Sequence, residues 1–372
     1  RTDSDSRFVR HDSATAGTNN FIAGNNAGNS IQSGGVQNIA IGVEAGTAIT
    51  TGDNNVCVGY QAGDAISTGD NNIAIGKNAL GAEDGHDFNI AIGSNALAVQ
   101  NVGADAYNVA IGYNAGTTVS TGERNILVGG LAGDALTDAD RNVAIGHGAL
   151  SDDTQGSRST AIGYQALSTQ NLSSATDTHN TAVGYQAGLA ITDGTNNTIF
   201  GAEAGITITS AASNTLIGHE AGQTTNSDKN TFVGRNAGHY VTSGSKNTIL
   251  GRFNGNENGL DIRTSSNNIV LSDGEGNPRF SYQDSTKNWN INVPANSNNA
   301  LIVNNNGGSD EYGVQIVNSV DSNNGSNHFI NCVGASTSRF KVFTNGNAVN
   351  SNNSYGSISD EKLKENIVDS GS

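Results

Sequence analysis

Several residue types are scarce in this 372-residue chain, and each scarcity excludes a class of protein. There is no Met, there are only two Cys, two Pro and one Trp, and 18 Lys and Arg stand against 34 Asp and Glu. The net charge of −16 leaves no basic patch for a nucleic-acid backbone or an anionic membrane surface. Cys57 and Cys332 are too far apart in sequence for a disulfide framework or a metal knuckle, so we expect both to pack as small apolar side chains.

Long apolar runs are missing as well. No stretch approaches the roughly 20 apolar residues of a membrane helix, and the N-terminal RTDSDSRFVR lacks the apolar segment of a signal peptide. Because Met is absent even at position 1, we expect the chain to be a processed product or an excised fragment.

Glycine is abundant, with 49 residues of 372, while aromatic residues make up 5% and charged residues 14%. Such a composition indicates either disorder or repetition. Disorder normally accompanies a high density of charge and few β-branched residues. The charge is spread thinly here among many Ile, Val and Thr, so repetition is favoured.

The chain contains fourteen copies of a unit with Asn, three residues, Gly, three residues ending in Ala, and then Gly or Leu; one copy has Ser159 in place of the Asn and one has Asn254 in place of the Ala. Examples are NIAIGVEAG, NVCVGYQAG, NIAIGKNAL and NTAVGYQAG. The first glycines of the copies are Gly24, Gly42, Gly59, Gly76, Gly93, Gly112, Gly129, Gly146, Gly163, Gly184, Gly201, Gly218, Gly234 and Gly251. A period near 17 predicts one coil of a β-solenoid, with two short strands and two turns.

The three residues between Asn and Gly alternate as in a strand, so positions one and three share a face and position two lies on the other. Position three is large and apolar in nearly every copy, which predicts that it lines the interior of the coil; examples are Ile41, Val58, Ile75, Phe200 and Leu250. Position two is mostly small through Ala182 and then apolar and bulky, at Ile199, Leu216, Phe232 and Ile249. A strand that is apolar on both faces is covered on both, so we expect position two to form a subunit interface. If that face met water, it would be an exposed apolar stripe.

The two framing residues have expected roles of their own. The Asn before each strand is typical of a turn or ladder residue, tolerant of left-handed backbone and able to bond the main chain. The glycine predicts a bend or a close approach of two backbone segments.

The repeat ends near residue 255, and the chain divides into a connection at 1–19, the repeats at 20–255 and a β-rich stem at 256–358. The segment NNIVLSDGEGNPRFSY predicts a last strand, with Ser272 in the place of the glycine, followed by a turn at 274–278. Further on, NWNINV, NALIVNN, YGVQIVNS, HFINCVG and RFKVFTNG predict short strands. Each is too thinly apolar to build a core alone, so three intertwined copies of the chain are expected.

The ending at 359–372 contains SISDEKLKENI, which has two interpretations. In one, Ser359 or Asp360 caps an ordinary helix, and spacing alone favours this interpretation. In the other, Ser359 is a nucleophile and Lys364 its base, which requires burial to lower the pKa of the lysine.

Two resemblances bear on these segments. The repeat at 20–255 resembles the left-handed β-roll heads of trimeric autotransporter adhesins and the repeat regions of bacteriophage tail fibres. The ending resembles the start of the intramolecular chaperone of endosialidase-type tail fibres and tail spikes, which carries Ser-Asp-x-x-Leu-Lys-x-Asn. The matching residues are Ser359, Asp360, Leu363, Lys364 and Asn366.

The second resemblance implies a chaperone that trimerises the fibre and then cuts itself off beside Ser359, using Ser359 and Lys364. Only eight residues follow Lys364, so we expect the chaperone to be truncated and the self-cleavage inactive in this chain.

Other chemistry has weaker signals. The acidic and His pairs at 83–87 and 176–179 do not recur from coil to coil, so solvated turns are favoured over metal sites. No paired carboxylates at matched strand positions indicate a glycosidase, and no Gly-rich loop opens a helix to hold phosphate. We therefore expect no cofactor, no metal and no enzyme activity apart from the self-cleavage.

These patterns predict an all-β, homotrimeric protein. The resemblances imply a structural and adhesive protein of a phage tail fibre, extracellular in the virion and in contact with other tail proteins. The longer turns at 97–107 and 167–179 are expected to contact a host receptor, either a glycan or an outer-membrane protein. The alternatives are the head of a bacterial trimeric autotransporter adhesin and a tail spike that depolymerises surface glycans.

Overall fold

A computed structural model describes residues 9–11, 17–103, 105–172, 174–292, 328–334, 337–343 and 348–350. These residues are all-β, with strands and turns and no helix among them. They form two compact units divided after residue 297, of which the first contains the repeats.

A column of fifteen strands, called the strand column below, organises the first unit. Fourteen have three residues and one has four: β2 (Phe21–Ala23), β3 (Ile39–Ile41), β4 (Val56–Val58), β5 (Ile73–Ile75), β6 (Ile90–Ile92), β7 (Val109–Ile111), β8 (Ile126–Val128), β9 (Val143–Ile145), β11 (Thr160–Ile162), β13 (Thr181–Val183), β14 (Thr198–Phe200), β15 (Thr215–Ile217), β16 (Thr231–Val233), β17 (Thr248–Leu250) and β20 (Ile269–Ser272). Short strands lie around the column: β1 (Val9–His11), β10 (Gly156–Ser157), β12 (Thr176–Asp177), β18 (Asn256–Glu257) and β19 (Leu260–Asp261).

Each strand of the column pairs in parallel with its equivalent one coil later, in unbroken register. In β8 and β9, for example, Leu127 lies opposite Ala144. The predicted final strand with Ser272 in place of glycine is confirmed, because β20 pairs in parallel with β17. The solenoid therefore has fifteen turns with a period near 17.

In most coils only one of the two predicted strands is formed; the two-residue strands β10 and β12, which pair in parallel, are an exception. After each strand the backbone takes positive φ at two nearby residues, as at Gln61 (53°) and Gly63 (58°), and such residues cannot continue a pleated strand. Successive coils still bond there, since Gly46 N–H donates to the Ala62 carbonyl at 2.9 Å. The remainder of each coil is a stack of turns.

The Asn at the start of each copy, replaced in one copy by Ser159, is buried and forms a ladder along the solenoid, which confirms its predicted ladder role. Asn125 shows the pattern: its N–H donates to Asn108 Oδ1 at 2.8 Å, and its Oδ1 accepts from Asn142 N–H at 2.9 Å. Its Nδ2 donates to the Ala139 carbonyl at 2.8 Å. The left-handed conformation expected of this Asn falls instead on the preceding residue, such as Arg124 (φ 58°).

The ladder reverses the predicted assignment of the two strand faces. Because Asn points inward, the alternation of a strand directs position two inward and positions one and three outward. Position two is fully buried within the single chain, including Ala182, Leu216 and Phe232. Position three, predicted to line the interior, lies outside, with Phe200 55% exposed and Leu250 42% exposed. Position two is therefore the core and not a subunit interface.

The interior of the coil is narrow, which explains the small residues at position two. The Ala three residues after the glycine is also buried, as at Ala45 and Ala132, and so is an aliphatic residue seven after it, as at Ile49 and Leu136. Cys57 occupies position two and is fully buried, as predicted for a small apolar side chain, and burial raises the pKa of its thiol to about 12.

The repeated glycine is required by a close approach between coils, as predicted. Gly112 has φ +143°, and a Cβ at that position would lie 2.3 Å from the carbonyl oxygen of Gly129 in the next coil. The same contact recurs at each glycine, so no larger residue fits without separating two coils.

Beyond the column, the first unit continues with the predicted turn, a strand that was not predicted, β21 (Pro278–Gln283), and the predicted stem strand NWNINV, β22 (Asn288–Ile291). β21 pairs antiparallel with β20, and β22 pairs antiparallel with β21. In the second unit, β23 (His328–Gly334), β24 (Thr337–Phe343) and β25 (Ala348–Asn350) form an antiparallel sheet. The predicted strands NALIVNN and YGVQIVNS lie outside the described residues.

Replacing Gly112 by Ala should lower the free energy of unfolding by about 3 kcal/mol or more, because the new Cβ would be forced against the Gly129 carbonyl. Denaturant unfolding followed by circular dichroism measures the change. Gly103→Ala is the matched control, since Gly103 has ordinary φ and no atom within 4 Å of its Cβ position. That control should change stability by less than about 0.5 kcal/mol. Equal effects of the two variants would contradict the close-approach explanation.

Candidate functional site: the outer stripe of the strand column

The outward side chains of positions one and three form one continuous apolar surface, called the outer stripe below. Its most exposed members are Phe21, Ile39, Ile111, Ile126, Ile145, Phe200, Ile217, Leu250, Ile269 and Leu271. Fifteen strands about 4.8 Å apart and about 10 Å long give the stripe a length of about 67 Å and an area of roughly 650 Å². This matches or exceeds the largest apolar patch of a typical monomer, about 300–600 Å².

The composition of the stripe changes along the column. Position one is Ile or Val in most of the earlier coils and Thr from Thr160 to Thr248. Position three stays apolar throughout those later strands, including Phe200, Ile217 and Leu250. The apolar character is therefore carried along the whole column by position three.

An aromatic column follows the strands, formed by the residue after the repeated glycine in three successive coils. The rings of His147 and Tyr164 stack at a centroid distance of 5.7 Å, and those of Tyr164 and Tyr185 at 5.5 Å. Both tyrosines are about half exposed. Tyr164 is therefore stacked on both of its ring faces, by His147 and by Tyr185.

Two buried acid–glutamine pairs interrupt the aliphatic core. Gln100 Nε2 donates to Glu83 Oε2 at 3.0 Å, and Gln170 Nε2 donates to Asp153 Oδ2 at 2.5 Å. All four side chains occupy the position seven residues after the glycine, where Ile49 and its equivalents pack in other coils. Each glutamine also accepts from the next ladder Asn, as Gln100 Oε1 does from Asn108 Nδ2 at 2.9 Å.

These pairs were not predicted from the sequence, although the repeat carries a signal for them. In the four coils that contain the pairs, the residue four after the glycine is Leu instead of Gly: Leu80, Leu97, Leu150 and Leu167. These leucines are fully buried. A core that gains a Leu at one position and loses an aliphatic residue three positions later has room there for a polar side chain.

The longer turns at 97–107 and 167–179 follow the second coil of each pair. They are described except for residues 104 and 173. Gln100 and Gln170 anchor them to the Asn ladder through Asn108 and Asn180. Beside the first turn, the exposed rings of Phe88 and Tyr107 stack with 3° between their planes at 5.2 Å. The turns are thus held at their bases by buried hydrogen bonds.

The two acidic and His segments differ in structure. In the first, Glu83, Asp84 and His86 place three potential metal ligands within 4.8 Å of one another. In the second, Thr176 and Asp177 form β12, and Asp177 makes an ion pair with Arg158 at 2.7 Å. Ser359 and Lys364, predicted to act in self-cleavage, lie outside the described residues.

A cleft with a volume of about 650 Å³ lies beside β21 and β22. Its lining is mostly amide and hydroxyl side chains, with Arg279 as its one charged residue: Asn258, Asn277, Ser281, Gln283, Asn290 and Asn292. Its lining includes no carboxylate, so the two acids of a glycosidase are not found there.

Comparison with protein-family models, curated proteins and solved structures found no match to this chain. Among the described residues, no helix is long and apolar enough to cross a membrane.

The Asp153 pair predicts a pH-dependent difference in stability. Burial raises the pKa of Asp153 above its ordinary 3.8, against the opposing effect of its hydrogen bond from Gln170. The Asp153 carboxyl therefore ionises at lower pH in the unfolded chain than in the folded chain. Its contribution to the free energy of unfolding is lost as pH rises from about 4 through the raised pKa. Relative to Asp153→Asn, which cannot ionise there, the wild type should be most stable below pH 4. Denaturant unfolding of both proteins between pH 3 and 8 measures this difference. A difference that does not vary with pH would contradict the prediction.

Proposed function

We propose that this protein is a structural and adhesive fibre protein in which the solenoid is a rigid rod assembled from three copies of the chain. The observation that carries the proposal is the outer stripe, whose side chains a single chain leaves exposed or half-buried along fifteen strands. An apolar surface of this size in an otherwise polar, Asn-rich chain favours a protein partner. Its area is close to the 800 Å² that each partner contributes to a standard interface.

The repeat favours a second copy of the same chain as that partner. A solenoid with one period has the same spacing of side chains in every copy, so parallel copies match coil for coil. The resemblance to trimeric adhesin heads and tail fibres supports three copies. Each strand is still apolar on both faces, but the roles of the faces are the reverse of those predicted. Position two fills the chain's own core, and positions one and three contact the neighbouring chains.

The rod and its turns suggest how the fibre works. Because each stacked coil adds about 4.8 Å, the solenoid holds its first and last coils a fixed distance apart. The turns at 97–107 and 167–179, anchored by Gln100 and Gln170, are the proposed contacts with a host receptor. By resemblance, the protein belongs to a phage virion, contacts other tail proteins and is trimerised by a chaperone that cuts beside Ser359. A bacterial adhesin head, the main alternative, would use the same rod and stripe.

The stripe can be tested by placing charge on it. Ile126→Lys combined with Ile145→Lys puts two ammonium groups on neighbouring strands of the stripe, where assembly would bury them unpaired. The wild type should have the mass of a trimer by light scattering after size-exclusion chromatography, and the double variant the mass of a monomer.

Val99→Lys is the matched control, because Val99 is as exposed as these residues but lies in a turn outside the strand column. It should remain trimeric. A monomeric wild type at micromolar concentration would contradict the proposal, as would a double variant that stays trimeric.

A further inference from the structure

The turn after β5 brings a buried acid, an exposed acid and a histidine together. Glu83 Oε1 lies 2.7 Å from His86 Nδ1, and Asp84 Oδ1 lies 3.9 Å from the same nitrogen. Carboxylate oxygens and an imidazole nitrogen at such separations are the ligand set of a divalent transition-metal site. The outer stripe and the displayed turns, on which the proposed fibre role depends, do not use this group.

Glu83 is buried where other coils have an aliphatic residue, and its charge has little compensation. Two neutral groups donate to its carboxylate: the backbone N–H of His86 at 3.1 Å and the side-chain Nε2 of Gln100 at 3.0 Å. Within the described part of the chain, the imidazole of His86 is its cationic partner, and only when protonated. A buried carboxylate is costly without a positive charge beside it, so this position favours a cation.

The equivalent acid four coils along, Asp153, shows how the same position is built without a histidine. Asp153 accepts from the N–H groups of Gly156 at 2.9 Å and Gln155 at 3.3 Å, and from Gln170. Gly156 stands three residues after Asp153, as His86 stands three residues after Glu83. The two turns share the buried acid and its glutamine, and only the first adds an imidazole.

Gln100 fixes the direction of the Glu83 carboxylate. Its Oε1 accepts from Asn108 Nδ2, which leaves its Nε2 to donate to Glu83 Oε2. With Oε2 held in this way, Oε1 is directed at His86. Gln100 is thus a positioning residue of the kind that usually supports metal ligands from behind.

We propose that Glu83, Asp84 and His86 bind one divalent transition-metal ion of the zinc type. Glu83 Oε1, His86 Nδ1 and an Asp84 oxygen supply the protein ligands, and water completes the coordination. The His86 ring must carry its proton on Nε2 so that Nδ1 has a free lone pair. Bonds of about 2.0–2.2 Å set neighbouring ligand atoms a little over 3 Å apart. The contact between Oε1 and Nδ1 then has to widen by only about 0.5 Å.

The ligand set also predicts which ions bind. An imidazole nitrogen with two carboxylates suits zinc, cobalt or nickel, whereas calcium and magnesium prefer sites built from oxygen alone. Asp84 is 61% exposed and the His86 side chain 20% exposed, so an ion can reach the site from solvent.

Isothermal titration of the full chain with ZnCl₂ at pH 7.5 tests the proposal. The wild type should bind one zinc ion per chain at this site, and His86→Ala and Asp84→Asn should each weaken that binding at least tenfold. Calcium chloride should give no comparable binding.

Two controls separate this site from other zinc binding and from loss of structure. His239→Ala removes another histidine near a carboxylate, since its Nδ1 lies 3.5 Å from Glu220. This variant should bind zinc as tightly as the wild type. Asp84 is exposed, so Asp84→Asn keeps the test valid if His86→Ala fails to fold, as judged by circular dichroism. The absence of saturable zinc binding, or binding equally strong in both variants, would overturn the proposal. Neither outcome bears on the trimer, which is measured by mass.

Discussion

The structure depends on one interaction, the hydrogen bonding of a buried Asn in each coil to the coils on either side. Asn125 bonds to the two neighbouring coils through its N–H and its Oδ1, and its Nδ2 bonds to the Ala139 carbonyl near the end of its own coil. A narrow coil has too little apolar area to hold its neighbours by burial alone, and three-residue strands add few ladder bonds. The Asn supplies bonds at the one place where each strand begins. Where Ser159 replaces it, Thr178 and Gln170 complete the bonding.

The inward direction of the Asn fixes the rest of the coil. Alternation along the strand then places position two in the core and positions one and three outside, so Ala144 is buried while Ile145 is exposed. The glycine that follows lets consecutive coils approach to a distance at which no Cβ fits. A rod with an apolar outer stripe results from these three constraints together, and the proposed assembly follows from the part of the rod that remains uncovered.

The period, the solenoid, the ladder role of Asn, the need for glycine and the last strand at Ser272 could all be predicted, because each depends on spacing or on a single residue type. The choice of inner face could not be made from hydrophobicity, since Ile on the outer stripe is more apolar than Ala in the core. The burial of Asn would have decided it. The pairing of Glu83 with Gln100 was missed because those residues are polar in sequence, and only the exchange of Gly for Leu80 and Leu97 marks the altered core.

Hydrogen exchange of the ladder amides, resolved by residue, tests the central claim most directly. The Asn142 N–H donates to the buried Asn125 Oδ1 at 2.9 Å, so in the wild type it should exchange only through global unfolding, with a free energy equal to that of denaturant unfolding. In Asn125→Ala the same amide should lose protection, and unfolding should become easier by about 2–4 kcal/mol. An Asn142 amide that exchanges in the wild type as fast as in an unstructured peptide would contradict the account.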